Sequence, residues 1–302
     1  MSSRATLLTC SHAKDLPRFV LQRESIERCA IDMPHVAVVN TEDVPAFERI
    51  VFKRNLKIVP TAAVIGPNLE KRRLARRYPR RHPLYWIRHK PLEGWWVQQL
   101  AKLNAPSLIQ TEAIISLDSD TFFIRHVREE DFFSEDGRLH LYETRDGLMV
   151  TTCNWLGRSM HFLGVSTDQP ARQYIHNPVP MKRQLLLDMQ AYIEARHKKS
   201  WMKAMLQWNV TEYSTYGVYA KHIARLKDLC LTGPPISISY WSESDVANFE
   251  SDFPEKTEDV RTKMVCVQSH TGLTLDDFRP YVEKIWAASG AGERDFGPLV
   301  RV

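Results

Sequence analysis

Apolar residues in this chain fall into short, nearly continuous runs, separated by longer stretches where they recur every three or four positions. Short continuous runs read as strands covered on both faces, and the longer spacing reads as helix. Residues 4–9 read as a first strand and residues 10–17 as the loop after it. In that loop Asp15 is placed to cap the next helix, with Pro17 in its first turn. That helix is predicted to reach Cys29, with Phe19, Val20, Ile26 and Cys29 facing inward. Residues 35–40 form a second strand, 44–50 a short helix and 56–59 a third strand. Strand–helix–strand–helix–strand implies a parallel sheet with right-handed crossovers. No G-x-G-x-x-G follows the first strand, which argues against a dinucleotide-binding Rossmann domain.

Residues 94–104 read as a helix with Trp96, Leu100 and Leu103 on one apolar stripe. Trp95, Gln98, Gln99 and Lys102 spread over the rest of its surface. They make either a solvent-facing polar stripe or a face that stacks on and hydrogen-bonds a polar ligand. Residues 114–117 form a buried strand and 121–124 a further extended segment. An acidic turn (129–136), a strand (138–143) and a helix (155–165) broken at residues 168–170 follow. Residues 171–181 read as a short strand and a proline-rigid turn that opens a helix over 182–197. Residues 201–208 form a short amphipathic helix. The next helix, capped by Asn209 or Thr211, places Glu212, Tyr216 and Tyr219 on one face. That face is either aromatic core or a ligand wall, since a buried Glu is rare unless paired. Residues 236–241 and 263–268 are strands, 275–288 the last helix and 289–302 a weakly ordered tail.

With 302 residues, 43% hydrophobic and 25% charged, the chain is ordinarily globular. Its N-terminus is too polar for a signal peptide, and no segment approaches a membrane span, so it reads as soluble and intracellular. Five cysteines without a C-x-x-C pair read as buried free thiols rather than disulfides or a zinc site. The net charge is +5, yet residues 71–90 alone carry nine Lys and Arg and no acid. That stretch, interrupted by Pro67, Pro79, Pro83 and Pro91, reads as a long loop over residues 66–91. It is either solvated surface or a patch for anionic lipid headgroups or a lipid-diphosphate carrier. No nucleic-acid recognition module is visible.

The central apolar run ends in Leu117-Asp118-Ser119-Asp120. Ligands collect outside the carboxyl ends of strands in open α/β sheets. Two carboxylates two residues apart on extended backbone project to one side and repel unless a cation lies between them. A divalent ion with oxygen ligands suits the place, although an Asp-x-Asp also forms ordinary turns. Glu243-Ser244-Asp245, after another strand, is a local rival. His270, at the end of the late strand beside Gly272, is placed to reach the same edge of the sheet.

The Asp-Ser-Asp strand end resembles the D-x-D motif of nucleotide-sugar glycosyltransferases of the GT-A fold. Residues 94–272 further resemble an uncharacterised bacterial glycosyltransferase-like family with W-x-x-Q-Q, L-D-x-D-T, E-Y-x-x-Y-G and late S-H motifs. Here these are Trp95 to Gln99, Leu117 to Thr121, Glu212 to Gly217 and Ser269-His270. The resemblance implies a single α/β, GT-A-like domain over 1–302, with a mostly parallel central sheet flanked by helices. Residues 1–125 would bind the nucleotide sugar, 126–290 the acceptor, and 291–302 would be a tail. It implies Mn²⁺ or Mg²⁺ held by Asp118, Asp120 and His270, with the imidazole favouring Mn²⁺. This settles the rivalry in favour of Asp118 and Asp120.

By the same likeness Thr9, Cys10, His12, Lys102 and Ser119 meet the donor, and Trp95, Gln98, Gln99, Tyr213 and Tyr216 the acceptor. Glu212 is the first candidate base, a partly buried carboxylate suited to a raised pKa, and His176 the second. The implied reaction moves a sugar from a nucleoside diphosphate to a saccharide or lipid-linked acceptor, in bacterial surface polysaccharide synthesis. It would run in the cytoplasm, with peripheral contact to the inner face of the membrane. A nucleotidyltransferase acting on a sugar phosphate and a non-catalytic sugar-binding protein are the alternatives.

Overall fold

The computed structural model describes residues 3–30, 32–81, 84, 90–144, 154–166, 172–233 and 235–291. The strands are β1 (Ala5–Ser11), β2 (His35–Val39), β3 (Leu56–Pro60), β4 (Ala113–Asp118), β5 (Thr121–Phe123), β6 (Leu139–Tyr142), β7 (Val179–Lys182), β8 (Leu229–Thr232), β9 (Ser237–Tyr240) and β10 (Met264–Val267). The helices are α1 (Leu16–Cys29), α2 (Val44–Phe47), α3 (Thr61–Arg77), α4 (Gly94–Leu103), α5 (Trp155–Leu163), α6 (Arg183–His197), α7 (Trp201–Trp208), α8 (Glu212–Val218), α9 (Glu243–Val246), α10 (Phe249–Glu258) and α11 (Leu275–Ala288).

The main sheet has the order β3-β2-β1-β4-β7. β1 pairs in parallel with β2 and β4, and β2 with β3, while β7 is antiparallel to β4. This is the mostly parallel α/β architecture expected of strands alternating with helices. β1 and the first five residues of β4 are buried, which is why both read as apolar runs. The chain leaves β1 toward β2 and β3 on one side and reaches β4 on the other. A crevice opens at such a reversal of strand order, at the carboxyl ends of β1 and β4. There Cys10 lies in register with Asp118.

Two smaller sheets complete the fold, β5-β10-β9 and the parallel pair β6-β8. β7 joins β4, and β10 joins β5, so the expected halves 1–125 and 126–290 share their sheets. Residues 177–181, expected to form a rigid turn, run mostly into β7. Its position at the sheet edge accommodates the missing N–H of Pro180.

Asp15 does not cap α1: its carboxylate lies 2.8 Å from His12 Nδ1 and makes no cap hydrogen bond. Phe19, Ile26 and Cys29 are buried as expected, while Val20 is half-buried. The supposed loop over 66–91 begins as helix instead. α3 runs through a kink at Gly66, whose φ of 78° suits glycine, and Pro67 sits at the start of the second helical piece.

Nor is the basic stretch uncompensated. Arg73 is buried and bonds both Glu70 (2.7 Å) and Glu42, Arg77 meets Glu42 at 3.0 Å, and Arg76 meets Glu93 at 3.5 Å. Glu70 lies just before the stretch on the same helix, and Glu42 and Glu93 come from outside it, so a count along residues 71–90 registers none of them. Cys10, Cys29, Cys230 and Cys266 are free thiols, with Cys230 only half-buried. Cys153, the helix break at 168–170 and the tail from 292 lie outside the described residues.

Candidate active site at the carboxyl edge of the main sheet

Asp118 ends β4, and a two-residue turn delivers Asp120 before the chain enters β5. Gln22 clamps this turn from α1, its amide donating to the carbonyls of Asp118 (2.7 Å) and Thr121 (3.0 Å). Asn177, fully buried, accepts the Asp118 N–H at 3.1 Å and donates to Asp118 Oδ2 at 2.7 Å. On the other side, the Asp120 carbonyl accepts the Val267 N–H at 3.0 Å, and its carboxylate accepts the Ser269 N–H at 3.2 Å. The Cys266 thiol donates to Asp120 Oδ1 at 3.5 Å.

Opposite charge comes from α4. The Lys102 ammonium donates to Asp118 Oδ1 at 2.8 Å and to Glu212 Oε1 at 3.0 Å. It also lies 4.5 Å from the ring centroid of Tyr213, whose hydroxyl is 2.9 Å from Ser116 Oγ. Burial alone would lower the Lys102 pKa, but Asp118, Tyr213 and Glu212 hold it well above the ordinary lysine value. Burial would raise Asp118, yet Lys102 brings it below the usual carboxylate range. Asp120 has no such partner. Burial first, and the Asp118 charge second, push its carboxyl up to about 7, against an opposing effect of Arg18.

These groups line a cavity of ≈ 540 Å³. Cys10, Ser11 and His12 enter from the end of β1, and Trp95, Gln98, Gln99 and Lys102 from α4. Asp118, Ser119 and Asp120 come from the central turn, Thr211, Glu212 and Tyr213 from α8, and Gln268 and Ser269 from the end of β10. Trp155 and Trp241 complete the lining together with smaller contributions. Trp95 is 41% exposed and stacks on Trp155 with centroids 6.1 Å apart. Gln99 Oε1 accepts the Glu212 N–H at 3.1 Å. The hydroxyls of Ser11 and Thr211 and the Gln99 amide nitrogen are buried with no partner among the described residues.

Four expected site residues stand elsewhere. Thr9 is fully buried and bonds Gln22 at 3.0 Å inside the sheet layer. Tyr216 is fully buried, its hydroxyl accepting the Lys182 N–H at 2.8 Å, so it cannot stack on an exchangeable sugar. His176 is not part of the cavity wall; it packs edge-on to Tyr142, and burial drops its pKa to about 4. His270 is exposed, and its Nε2 donates to the Trp241 carbonyl at 2.7 Å rather than turning toward the two aspartates. Tyr213 lies in the wall, but Lys102 covers a face of its ring. The rival Asp245 caps α9 through Ser242. Asn177, Gln22, Trp155 and Trp241 were not foreseen, and Ser269 was expected only as part of the late S-H motif. Nothing in local spacing links Asn177 to a carboxylate 59 positions earlier.

Among the described residues no three His, Cys, Asp or Glu side chains gather as a metal cage. The pair Asp118 and Asp120 nevertheless fits a hard divalent ion. Such ions often take one or two carboxylates, with substrate phosphates and water as the other ligands. The raised pKa of Asp120 marks a charge that an added cation would relieve. With His270 turned away, the preference for Mn²⁺ over Mg²⁺ loses its imidazole.

A search of curated proteins gave no match. Among solved structures, the galactosyltransferase LgtC in complex with donor and acceptor sugar analogues is similar at 9% identity, covering 96% of each chain, with a TM-score of 0.49. An active-site mutant of LgtC is similar at 8% identity over 95% of each chain, with a TM-score of 0.47. At that distance neither likeness bears on what this chain binds. The sequence profile of a family of unknown function, DUF6492, matches residues 5–289, and the chain belongs to that family.

Proposed function

We propose that this protein is a metal-assisted glycosyltransferase that moves a sugar from a nucleoside diphosphate to a saccharide or lipid-linked acceptor in bacterial surface polysaccharide synthesis. The convergence of four motif segments carries the reading. Residues 95–99, 118–120, 212–213 and 268–269 are scattered along the chain yet contribute to one cavity. The cavity sits where the strand order reverses, the usual ligand crevice of such sheets.

Sugar transfer requires a leaving group that departs with two negative charges. A bound divalent ion neutralises that developing charge without a proton donor. Asp118 and Asp120 would hold the ion against the donor diphosphate. Lys102, kept protonated by its two carboxylates, adds a fixed positive charge beside them. Glu212, anchored by Lys102 and by the Gln99 contact to its backbone, is placed to accept the proton of an acceptor hydroxyl. Ser11, His12 and Asn40, which also line the cavity, would take the nucleoside. Trp95, on Trp155, offers an exposed ring for a sugar face.

Release of nucleoside diphosphate from nucleotide sugars in Mn²⁺ or Mg²⁺ tests the proposal. Asp120→Asn is expected to lower that rate by about a hundredfold or more while the protein stays folded. Undiminished release in the variant discards the acid pair as the centre. Pyrophosphate made from a nucleoside triphosphate and a sugar phosphate identifies a nucleotidyltransferase instead, and binding without turnover identifies a sugar-binding protein.

No helix among the described residues is long and apolar enough to cross a membrane. Lys71, Arg80 and Arg81 are exposed and remain available to anionic headgroups. On this reading the protein sediments with anionic vesicles at low salt and is released as salt rises. Salt-independent partition, or none at all, removes the membrane contact.

A further inference from the structure

Two of the cavity's buried polar groups without a partner among the described residues, on Gln99 and Thr211, are linked through Glu212. Gln99 is 1% exposed and Thr211 is 3% exposed. Gln99 commits Oε1 to the Glu212 N–H at 3.1 Å, which fixes the orientation of its amide. The amide nitrogen is left buried and unpartnered in the cavity wall. Thr211 immediately precedes Glu212 and occupies the N-cap position of α8. A threonine there ordinarily bonds the first turn of its helix. This one makes no cap hydrogen bond, and its hydroxyl is also left without a partner. Leaving a buried donor unpaired costs stability, which a bonded ligand restores. Gln99 bonds the residue that follows Thr211, so the two unpartnered groups belong to one stretch of the cavity wall and suit a ligand that bonds both.

We propose that Gln99 and Thr211 form a subsite that reads one hydroxyl of an uncharged sugar ring, an inference that rests on the transfer reading above. The amide donates to the hydroxyl oxygen, while the threonine hydroxyl can donate or accept. Charge selects a sugar over a phosphate here. Lys102 is already shared by Asp118 and Glu212, so it has no free charge to give an anion at this point, and an uncharged hydroxyl suits the two groups better. The stacked Trp95 and Trp155 supply an apolar surface to the same cavity, as a sugar's C–H face requires. A site built to bond a hydroxyl discriminates strongly against the analogue that lacks it, because its own buried groups are then unpaired.

Calorimetric titration tests this with UDP- and GDP-hexoses, their single-deoxy analogues, the bare nucleotides and free hexose disaccharides. For the native protein, one deoxy analogue is expected to bind about tenfold to a hundredfold more weakly than its parent. Thr211→Val keeps the side-chain shape and removes the hydroxyl. It should weaken the parent by a similar factor and leave that deoxy analogue unchanged, with Thr211→Ser restoring the difference. Gln99→Glu keeps the acceptor for Glu212 and removes both amide donors, and should erase the same discrimination. The subsite is overturned if both variants bind every probe as the native protein does, or if no sugar-bearing probe binds. Discrimination among free saccharides by a protein that binds no nucleotide and no nucleotide sugar sinks the transfer reading and leaves the subsite standing. Nucleotide sugars bound without hydroxyl discrimination do the reverse.

Discussion

Lys102 is the residue on which the charge balance of the centre turns. An ammonium only 4% exposed loses most of its hydration, and it is tolerated because two carboxylates replace that water. Removing it leaves Asp118 and Glu212 facing a shared gap. Lys102→Met is therefore expected to cost about 3–5 kcal/mol in urea unfolding. Adding Glu212→Gln should recover part of that loss, since the two residues are in contact. A helical wheel places Lys102 on the polar remainder of α4 and says no more. Its partners arrive 16 and 110 positions later, and local periodicity carries no trace of either.

Asp120 gives a prediction of opposite sign. Its carboxyl is raised from the ordinary 3.8 to about 7, burial first and Asp118 second. Between those values the folded chain keeps a proton that the unfolded chain gives up. Stability from this group therefore falls as pH rises through that window, and the full cost is present above it. Asp120→Asn should melt a few degrees above the native protein at about pH 8, and near it at about pH 4. A melting difference that does not change with pH removes the burial account. The same substitution that silences the centre should thus stabilise the molecule, as expected where function holds charge in a costly place.

At the scale of elements, α3 is tied to the turn after β2 by a network rather than by apolar contact alone. Burial would raise the pKa of Glu42 and Glu70, but hydrogen bonds from Arg73 hold both below the ordinary 4.5. Their contribution is present above 4.5 and disappears as pH falls through the lowered values. Arg73→Met should unfold at lower urea than the native protein at neutral pH, with the gap closing on acidification. An unchanged gap at acid pH would assign the loss to packing. Gly217, the last residue of the E-Y-x-x-Y-G segment, explains itself sterically. A Cβ there would fall 2.1 Å from the Tyr174 ring. Gly217→Ala is expected to cost about 1–3 kcal/mol by overpacking, read as a lower melting temperature.

Element boundaries came through well where burial is one-sided and continuous. α7 and α11 occupy the predicted residues, and β1, β2 and β4 lie within a residue or two of expectation. The basic stretch did not, because Gly66 and four prolines read as breaks. Gly66 instead makes a kink, and Pro67 sits where a missing N–H costs nothing.

For the whole molecule, strand alternation was enough to foresee a mostly parallel sheet with Asp118 at the carboxyl end of a central strand. It was not enough to foresee that β7 and β10, both late in the chain, pack beside β4 and β5. Asn177 and Ser269 reach the acidic turn because of those pairings. Long-range pairing has no local signature, so sequence reading missed Asn177 and knew Ser269 only as part of a motif. His270 shows the converse: position at a strand end suggested a metal ligand, and only the path of the turn sends its ring to Trp241.

The β5–β10 pairing also sets a timetable for synthesis. Cys266 lies 146 positions beyond Asp120. At ribosomal speed that interval lasts on the order of ten seconds. Throughout it the nascent chain carries the aspartate turn without the strand that closes over it. The aspartate turn therefore stays uncovered until β10 has been made, and any copy aborted before residue 264 is a sheet with an unfinished edge.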